Sequence, residues 1–464
     1  MSPRPDLRAG ASGASGQARP HQLRLLGQSR YAPFFWTVFL GAVNDNLLKF
    51  AIVLLLTYRM PVPWLPPEVV GPALGALFIL PSVLLSATAG QWADKVDMAW
   101  LMRLAKSAEV LMMALAAWAL WQSHVPAMLL CVLLSGLHVT LFAAVKYAYV
   151  PRHLAPGELT GGNGLLEMGT FTAILLGTVV GGVLVSPRIG GLGPLMAAVI
   201  GLALAGRLAA QRIPATPALS PGLRISWNPF AETWRNLGRI HHQPVLLMCV
   251  LGISWMWCFG AVFLSLFPLL SKTVLHAQED IASLLLVLSS LGIAAGAMLC
   301  ERLSRVRTSD APDLGLVLVG ALGMGVFGLD LAWVVHQMAH DPGMARVTVY
   351  ALSDFAGRPQ HWRGLADQVL MSVSIGLFSV PLYAHMQYLA EPERRARIVA
   401  ANNILNALFI LVCAVLVWAL SAARWSVGGI FAFACVLHAA VMVVTMCWQP
   451  LLWRQTVALL RRWR

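Results

Sequence analysis

The chain of 464 residues is 58% hydrophobic and only 11% charged, with a mean hydropathy of +0.71. This composition excludes a soluble globular protein and predicts a polytopic membrane protein. The net charge of +13 comes from 33 Lys and Arg against 20 Asp and Glu. With both termini inside, roughly 24 of the 33 basic residues fall on the cytoplasmic side, so the positive-inside rule explains the excess and we expect no nucleic-acid partner.

The first element in chain order is a polar tail over residues 1–30, which is too poor in apolar residues to fold and is predicted to be disordered in the cytoplasm. Twelve apolar segments follow, each long enough to cross a bilayer. Their predicted bounds are 33–58, 68–91, 98–120, 125–149, 164–186, 190–210, 244–270, 281–300, 313–337, 367–389, 400–420 and 426–448.

The spacing of these spans predicts an all-α polytopic membrane protein with twelve transmembrane helices in two six-helix halves. The predicted units are an N-terminal bundle, a cytoplasmic linker with an amphipathic helix, a C-terminal bundle and a basic interfacial helix, over residues 31–210, 211–243, 244–448 and 449–464. Both termini are then cytoplasmic.

The middle of the first span carries four polar residues, Asn44, Asp45, Asn46 and Lys49. An Asp or Lys at that depth costs about 2.5 to 3.5 kcal/mol. Such residues usually face a bundle interior or a water-filled cavity, which predicts a substrate or ion path. Asp45 and Lys49 also lie four residues apart on one helix face, so the alternative is that they only neutralise each other at a helix–helix contact.

The linker contains a helix start at Asn228-Pro229, with a capping side chain followed by a proline at the first helical position. Phe230 and Trp234 then belong to one apolar face, and arginines occupy the other side. This pattern predicts a helix that lies on the cytoplasmic membrane surface. A second polar insert, 338–366, is expected to form another surface segment on the outer side.

Six spans, a polar linker and six more spans is the arrangement of the major facilitator superfamily. The loop after the second span, Gly90-Gln-Trp-Ala-Asp94-Lys95-Val-Asp97, resembles the G-x-x-x-D-R-x-G signature of that superfamily. We expect Gly90 to allow close helix contact and Asp94 to accept hydrogen bonds from an adjacent helix N-terminus in one conformational state. Lys95 replaces the usual arginine, and Asp97 replaces glycine.

Further motifs occur in the order found in one branch of that superfamily. They are Asn44-Asp45-Asn46-Leu47-Leu48, Gly90-Gln91-x-Ala93-Asp94, Ala144-Val-Lys146-Tyr147, Asn163-Gly164-Leu165-x-Glu167, the span-five glycines Gly177, Gly181 and Gly182, Val380-Pro381-Leu382-x-Ala384 with Gln387, and Ala401-Asn402-Asn403. Together they resemble the bacterial lysophospholipid transporter family. The runs Ala400–Leu408 and Ser254-Trp-x-Trp257 resemble most closely the transporter module that some bacteria fuse to an acyltransferase and an acyl-ACP synthetase.

The resemblance implies movement of lysophosphatidylethanolamine-type lipids across the bacterial inner membrane, for re-acylation by a separate acyltransferase or acyl-ACP synthetase. A zwitterionic head group needs a carboxylate for its ammonium, which Asp45 supplies, and a cation for its phosphate, which Lys146 supplies. Free-standing family members carry an arginine in span seven, whereas Trp255–Leu270 contains no basic residue. The predicted substrate-binding residues are Asp45, Asn46, Lys146, Lys49, Asn44 and Glu167.

Two other functions stay open at this point. One is a proton-coupled exporter of small amphiphiles with Asp45 as the proton carrier, and the other is a membrane scaffold that docks an acyltransferase through the basic C-terminal helix. No nucleophile–base set, phosphate-cradling loop or metal-ligand spacing appears, so we expect no enzyme activity, no metal and no cofactor. The predicted partners are the lysophospholipid substrate and membrane lipids.

Overall fold

The computed structural model describes residues 22–60, 62–65, 67–185, 192–275, 279–304, 311–340 and 359–463. Within these ranges, twelve helices are long and apolar enough to cross a membrane, which confirms the predicted all-α polytopic fold. Most of the predicted disordered tail and of the predicted outer surface segment 338–366 lies outside the described residues.

The N-terminal half contains the first six of these helices. They are α1 (Ala32–Leu54, continued by a π-helical turn over Leu55–Arg59), α2 (Pro67–Lys95), α3 (Met98–Trp121), α4 (Val125–His153), α5 (Leu159–Val185) and α6 (Gly193–Gln211). Proline stands in the first turn of α4 and α6, where its missing N–H removes no helical hydrogen bond.

The linker helix and the C-terminal half follow. They are α7 (Pro229–Ile240), α8 (Pro244–Thr273), α9 (Glu279–Ser304), α10 (Gly315–Ala339), α11 (Pro359–Leu389), α12 (Arg395–Ala422), α13 (Val427–Trp448) and α14 (Pro450–Trp463). The six spans of each half pack mainly on one another, and contacts of α5 with α9 and of α2 with α12 join the halves.

Small residues let α5 approach α1 closely, as the span-five glycine run predicts. A Cβ atom on Gly177 would lie 2.5 Å from the carbonyl oxygen of Val43, and one on Gly181 would lie 2.8 Å from that of Leu47. Any side chain at these glycines would therefore push the two helices apart. This contact fixes the polar segment of α1 inside the N-terminal half.

The linker helix α7 begins where the sequence predicts. The Asn228 side chain caps it by accepting a hydrogen bond from the backbone N–H of Ala231 at 3.0 Å. Trp234 and Phe230 are 79% and 67% exposed, while Glu232 on the opposite face is buried against the bundle. We call the end of the molecule that carries α7 the linker end.

At the linker end, the signature loop joins the two halves in the way the motif predicts. The Asp94 carboxylate accepts hydrogen bonds from the backbone N–H of Ala396 at 3.2 Å and from Arg397 Nε at 2.9 Å. A Cβ atom on Gly90 would lie 2.8 Å from the Ala396 carbonyl oxygen, so only glycine permits this approach of α2 to α12. Lys95 is half-buried in the last turn of α2.

The departure from the signature at Asp97 has a local structural role. The Asp97 side chain caps the N-terminus of α3 by accepting a hydrogen bond from the backbone N–H of Trp100 at 2.7 Å. It also accepts one from the backbone N–H of Thr216 at 2.7 Å. The aspartate thus ties the linker to the start of α3.

Two further pairs join the halves near the same end. The amides of Asn163 and Gln387 exchange two hydrogen bonds of 2.8 Å between α5 and α11. The backbone N–H of Gln22 donates to Glu301 Oε2 at 2.9 Å, which joins the residues before α1 to α9. The structure is therefore closed at the linker end.

Candidate functional site

The strongest candidate site lies where α4 and α5 face α11. Lys146 Nζ donates to Thr170 Oγ1 at 2.6 Å, and the Tyr147 hydroxyl donates to Glu167 Oε1 at 2.5 Å. The rings of Tyr147 and Tyr383 stack with centroids 4.4 Å apart and planes 5° from parallel. We call Lys146, Tyr147, Glu167, Thr170 and Tyr383 the interface cluster, because it joins the two halves through an aromatic contact.

Neutral groups form the C-terminal side of this cluster. Trp257 Nε1 donates to the Tyr383 hydroxyl at 3.1 Å. Behind it, Asn406 Oδ1 accepts from Ser254 Oγ at 2.8 Å and from Asn402 Nδ2 at 3.2 Å. The charges of the site therefore come from the N-terminal half, and the other half supplies an indole, a phenol, a hydroxyl and amides.

The buried carboxylate of the interface cluster is only half satisfied. Glu167 is fully buried, and its Oε1 is bonded to Tyr147. Its Oε2 makes no hydrogen bond with any residue that the structure describes. Lys146 is 8% exposed, and its ammonium has the Thr170 hydroxyl as a neutral partner. A buried acceptor and a buried cation on adjacent helices can together receive a ligand that carries both signs of charge.

A second buried polar group lies wholly inside the N-terminal half. Lys106 Nζ and Glu109 Oε2 form an ion pair of 2.5 Å on α3, and Asn44 Nδ2 donates to Glu109 Oε1 at 3.2 Å. His138 on α4 lies between two carboxylates, with Nδ1 3.3 Å from Asp45 Oδ2 and Nε2 3.4 Å from Glu109 Oε2. We call Asn44, Asp45, Lys106, Glu109 and His138 the N-terminal network.

Glycines make room for the lysine of this network. A Cβ atom on Gly41 of α1 would lie 2.3 Å from Lys106 Nζ, and one on Gly206 of α6 would lie 3.4 Å from it. Lys106 is fully buried in this slot. Asn44 Nδ2 also donates to the carbonyl oxygen of Val199 at 3.1 Å, which binds α1 to α6. The network therefore holds α1, α3, α4 and α6 together.

The structure places the predicted site residues in three different surroundings. Lys146 and Glu167 belong to the interface cluster, whereas Asn44 and Asp45 belong to the N-terminal network. Asn46 Nδ2 donates to the carbonyl oxygen of Ala42 at 2.8 Å, and its Oδ1 accepts from Lys49 at 3.3 Å. Lys49 Nζ also lies 4.4 Å from the centroid of the Phe78 ring.

Two pairings considered from sequence are not contacts in this conformation. Among the described residues, Asp45 and Lys49 form no ion pair within 4.0 Å, since Asp45 faces His138 and Lys49 faces Asn46. Asp45 and Lys146 are also apart. Asp45 contacts His138 of α4, and Lys146 lies eight residues further along the same helix, which is about 12 Å.

Sequence reasoning assigned no role to the aromatic part of the site or to His138. Tyr147 and Trp257 occur in the motifs that carry the family resemblance, but Tyr383 has no such signal. His138 is a polar side chain within span four, so burying it in the membrane is costly for the same reason as burying Asp45. That cost was the signal that could have identified it. Asp330, within the predicted span nine, forms an ion pair with Arg363 of α11.

Comparison with known proteins agrees with the fold. The family model described as Major Facilitator Superfamily matches residues 34–357. The fucose:proton symporter of E. coli superposes with a TM-score of 0.65 at 11% identity, covering 91% of this chain and 100% of the symporter. A bacterial homologue of the iron transporter ferroportin, in an outward-facing state, superposes with a TM-score of 0.60 at 15% identity over 90% of this chain and 99% of its own.

Curated proteins similar in sequence are named lysophospholipid transporters. The protein of that name from Escherichia coli O1:K1 / APEC is 27% identical over 379 residues, which cover 79% of this chain and 80% of the relative. The one from Enterobacter sp. (strain 638) is 26% identical over 298 residues, covering 63% and 71%. These relatives and the matched family are transporters, so the chain is a multi-pass membrane transporter and not an enzyme. With the match extending over well more than half of its length, the chain belongs to the Major Facilitator Superfamily.

Proposed function

We propose that this transporter moves lysophospholipids of the lysophosphatidylethanolamine type across the bacterial inner membrane by alternating access. The similarity to proteins named lysophospholipid transporters supports the substrate class. The observation that carries the proposal is the interface cluster, in which the free Oε2 of Glu167 and the ammonium of Lys146 lie buried on adjacent helices. Such an arrangement suits a head group with one positive and one negative end.

The head group would exchange the resting contacts of the cluster for its own. Its phosphate takes Lys146 Nζ in place of the Thr170 hydroxyl, because a lysine ammonium binds phosphate as a point charge. Its ammonium takes Glu167 Oε2, which has no partner among the described residues. On the other half, the Trp257 N–H and the Tyr383 hydroxyl supply neutral donors in place of the arginine that free-standing family members carry.

The sequence predicts that Asp45 binds the ammonium, a role that stays a prediction, whereas the present proposal gives the ammonium to Glu167. In the described conformation Asp45 is 2% exposed and faces His138, so its support for transport is the positioning of α1 against α4. Asn46 and Lys49, which contact each other, border the same segment of α1.

Transport would proceed by rocking of the two halves around the interface cluster. The linker end carries Asp94–Arg397 and Asn163–Gln387, which must open for the substrate to leave on that side. The positive-inside rule assigns the linker end and both termini to the cytoplasm. The described conformation is then closed to the cytoplasm, and the lipid delivered inside would go to re-acylation by a separate acyltransferase or acyl-ACP synthetase.

The test is a flipping assay in proteoliposomes with lysophosphatidylethanolamine of defined chain length. Lys146→Ala and Glu167→Gln are each expected to reduce flipping to the level of protein-free vesicles, because each removes one end of the head-group site. Lys272→Ala, an exposed lysine in the last turn of α8, is the matched control and should transport normally. Normal flipping by both site variants would reject the proposed site, and loss in Asp45→Asn alone would return the ammonium site to Asp45.

A second function, proton-coupled export of a small amphiphile, is favoured by one observation. The N-terminal network contains two carboxylates and one lysine, so a bound proton on His138 or on a carboxylate is needed to balance its buried charge. Uptake or release of that proton could be linked to transport. Flipping that responds to an imposed pH gradient in wild type, and loses the response in His138→Gln, would favour this function.

A further inference from the structure

The C-terminal half contains a cavity of about 450 Å³ that the proposed transport site does not use. Its volume lies within the range of about 300–1,000 Å³ that is usual for small-molecule sites. One wall is formed by Met248, Leu251 and Trp255, which occupy one face of α8. Val441 and Val444 belong to the opposite wall, on α13. The cavity thus separates two helices within the membrane-spanning region.

The walls of this cavity offer almost no polar contact. The lining residues include no charged side chain. Thr445 Oγ1 donates to the carbonyl oxygen of Val441 at 2.7 Å, and Trp255 Nε1 donates to His438 Nδ1 at 2.9 Å, so both groups are already satisfied. A ligand with polar groups would lose its hydrogen bonds on entering this apolar cavity, whereas a hydrocarbon chain has none to lose.

The cavity has the height of one leaflet. Its lining on α13 runs from Ala440 to Trp448, a stretch of nine residues that spans about 12 Å of helix. One leaflet contributes about 15 Å of a hydrocarbon core that is about 30 Å thick. Trp448 is the last residue of α13 and Leu452 of α14 closes the same end, so the cavity starts at the linker-end surface and reaches towards the bilayer centre.

The cavity is accessible from the flank of the protein that faces lipid. Val444 is 67% exposed and Trp448 is 43% exposed, and both line it. The Trp255–His438 hydrogen bond joins α8 to α13 nearer the bilayer centre, and the cavity lies between the two helices on the linker-end side of that bond.

A hydrogen-bonded contact between α8 and α12 separates the cavity from the interface cluster. Ser254 donates to Asn406 at 2.8 Å, and Asn402 Nδ2 donates to the carbonyl oxygen of Val250 at 3.1 Å. A lipid with its head group at Lys146 could place its chain in the cavity only by breaking these bonds. The geometry therefore favours a lipid of the surrounding bilayer over the transported one.

We propose that this cavity binds one acyl chain of a bilayer phospholipid whose head group lies at the linker-end membrane surface. An unfilled cavity would leave its lining side chains without dispersion contacts. A bound chain would support α8, whose opposite face carries Trp257 against Tyr383. The site belongs to the resident lipid and does not depend on which substrate the transporter moves.

The experiment uses the full chain in vesicles of phosphatidylethanolamine and phosphatidylglycerol that contain a trace of phosphatidylethanolamine with a photoactivatable diazirine in one chain. Labelling of the α8 peptide that contains Met248 and Leu251 is measured by mass spectrometry. Ala440→Trp fills the cavity and is expected to reduce this labelling about tenfold, which corresponds to about 1.4 kcal/mol of binding. Val443→Trp, on an exposed part of α13 outside the lining, is the matched control and should label like wild type.

Val441→Phe fills the cavity from a neighbouring residue and should reduce labelling of the α8 peptide in the same way. The test therefore does not depend on the correct folding of a single variant. Equal labelling in Ala440→Trp, Val441→Phe and wild type would overturn the proposal, as would the absence of this label from wild type. A diazirine-labelled lysophosphatidylethanolamine that displaces the phospholipid at equal bilayer concentration would show that the occupant is the lysolipid, which also overturns it. None of these outcomes depends on whether the protein flips lysolipids.

Discussion

The N-terminal network and the interface cluster are both buried and both contain charged groups, but they differ in which helices supply them. The network draws Asp45, Lys106, Glu109 and His138 from one half, and each is bonded to another member of that half. The interface cluster joins the halves through the stacked rings of Tyr147 and Tyr383. Under the proposed function, rocking of the halves around the interface cluster would leave the first group intact and alter the contacts of the second. We therefore expect contacts within a half to set folding stability and contacts between halves to set substrate affinity and the conformational equilibrium.

The largest expected effect tests the network. Lys106→Met would leave Glu109 and Asp45 buried without their cation, and breaking a buried ion pair by removing one partner costs about 3–5 kcal/mol. The free energy of unfolding, measured by SDS titration from mixed micelles, should fall by that amount. The double variant Lys106→Met/Glu109→Gln should recover part of the loss. An unchanged free energy of unfolding in Lys106→Met would show that the network does not set stability.

The next effect tests a contact between halves. Asp94→Asn weakens the charged hydrogen bonds to Ala396 and Arg397, which are worth about 1.5–3 kcal/mol. We expect the population closed at the linker end to fall, as measured by spin-label distances across that end, while the free energy of unfolding changes little. Asp330→Asn, which alters an exposed ion pair elsewhere, is the control for charge alone. A fall in the free energy of unfolding as large as that in Lys106→Met would show that contacts between the halves also set folding stability.

A smaller effect concerns the slot that surrounds the network lysine. Gly41→Ala places a methyl group 2.3 Å from Lys106 Nζ, so the lysine must shift, and overpacking of this kind costs about 1–3 kcal/mol. Gly201→Ala is the matched control, because a Cβ atom there would meet nothing within 4 Å. The free energy of unfolding should fall only in the first variant. Equal free energies of unfolding in Gly41→Ala and Gly201→Ala would mean that Lys106 has room to move.

The smallest effect on stability should come with a clear effect on transport. Tyr383→Phe keeps the ring that stacks on Tyr147 and removes the hydroxyl that accepts from Trp257, a bond worth about 0.5–1.5 kcal/mol. The KM for lysophosphatidylethanolamine flipping should rise, because the C-terminal half loses a neutral donor to the head group. Tyr388→Phe, on an exposed side of α11, should leave KM unchanged. An unaltered KM in Tyr383→Phe would remove that residue from the site.

Most of the fold could be predicted from the sequence, because its determinants are local. The twelve spans follow from runs of apolar residues, and each has a counterpart in the structure. The start of α7 follows from the Asn228 cap, and the close packing of α5 follows from Gly177 and Gly181. The Asp94 contact could be predicted because its motif specifies both the glycine and the hydrogen-bond acceptor.

The site could be predicted only in part, because its partners are distant in sequence. Lys146 and Glu167 were both identified, but each as a single residue. Asp45 and its partner His138 are separated by 93 positions, and one sequence contains no signal for which spans pack together. The spacing of Asp45 and Lys49 on one helix suggested a pair, whereas tertiary packing gave each a different neighbour. Stacked aromatic rings such as Tyr383 on Tyr147 leave no periodic pattern at all.

The distribution of charge in the interface cluster has an electrical consequence. Lys146 and Glu167 carry opposite signs on adjacent helices, and the facing groups Trp257 and Tyr383 are neutral. When the halves rock around a bound zwitterion, the site and its cargo together move no net charge across the bilayer. A moving elementary charge would exchange about 2.3 kcal/mol with each 100 mV of membrane potential. Under the proposed function, the cell's voltage should therefore neither drive nor oppose the lipid's crossing.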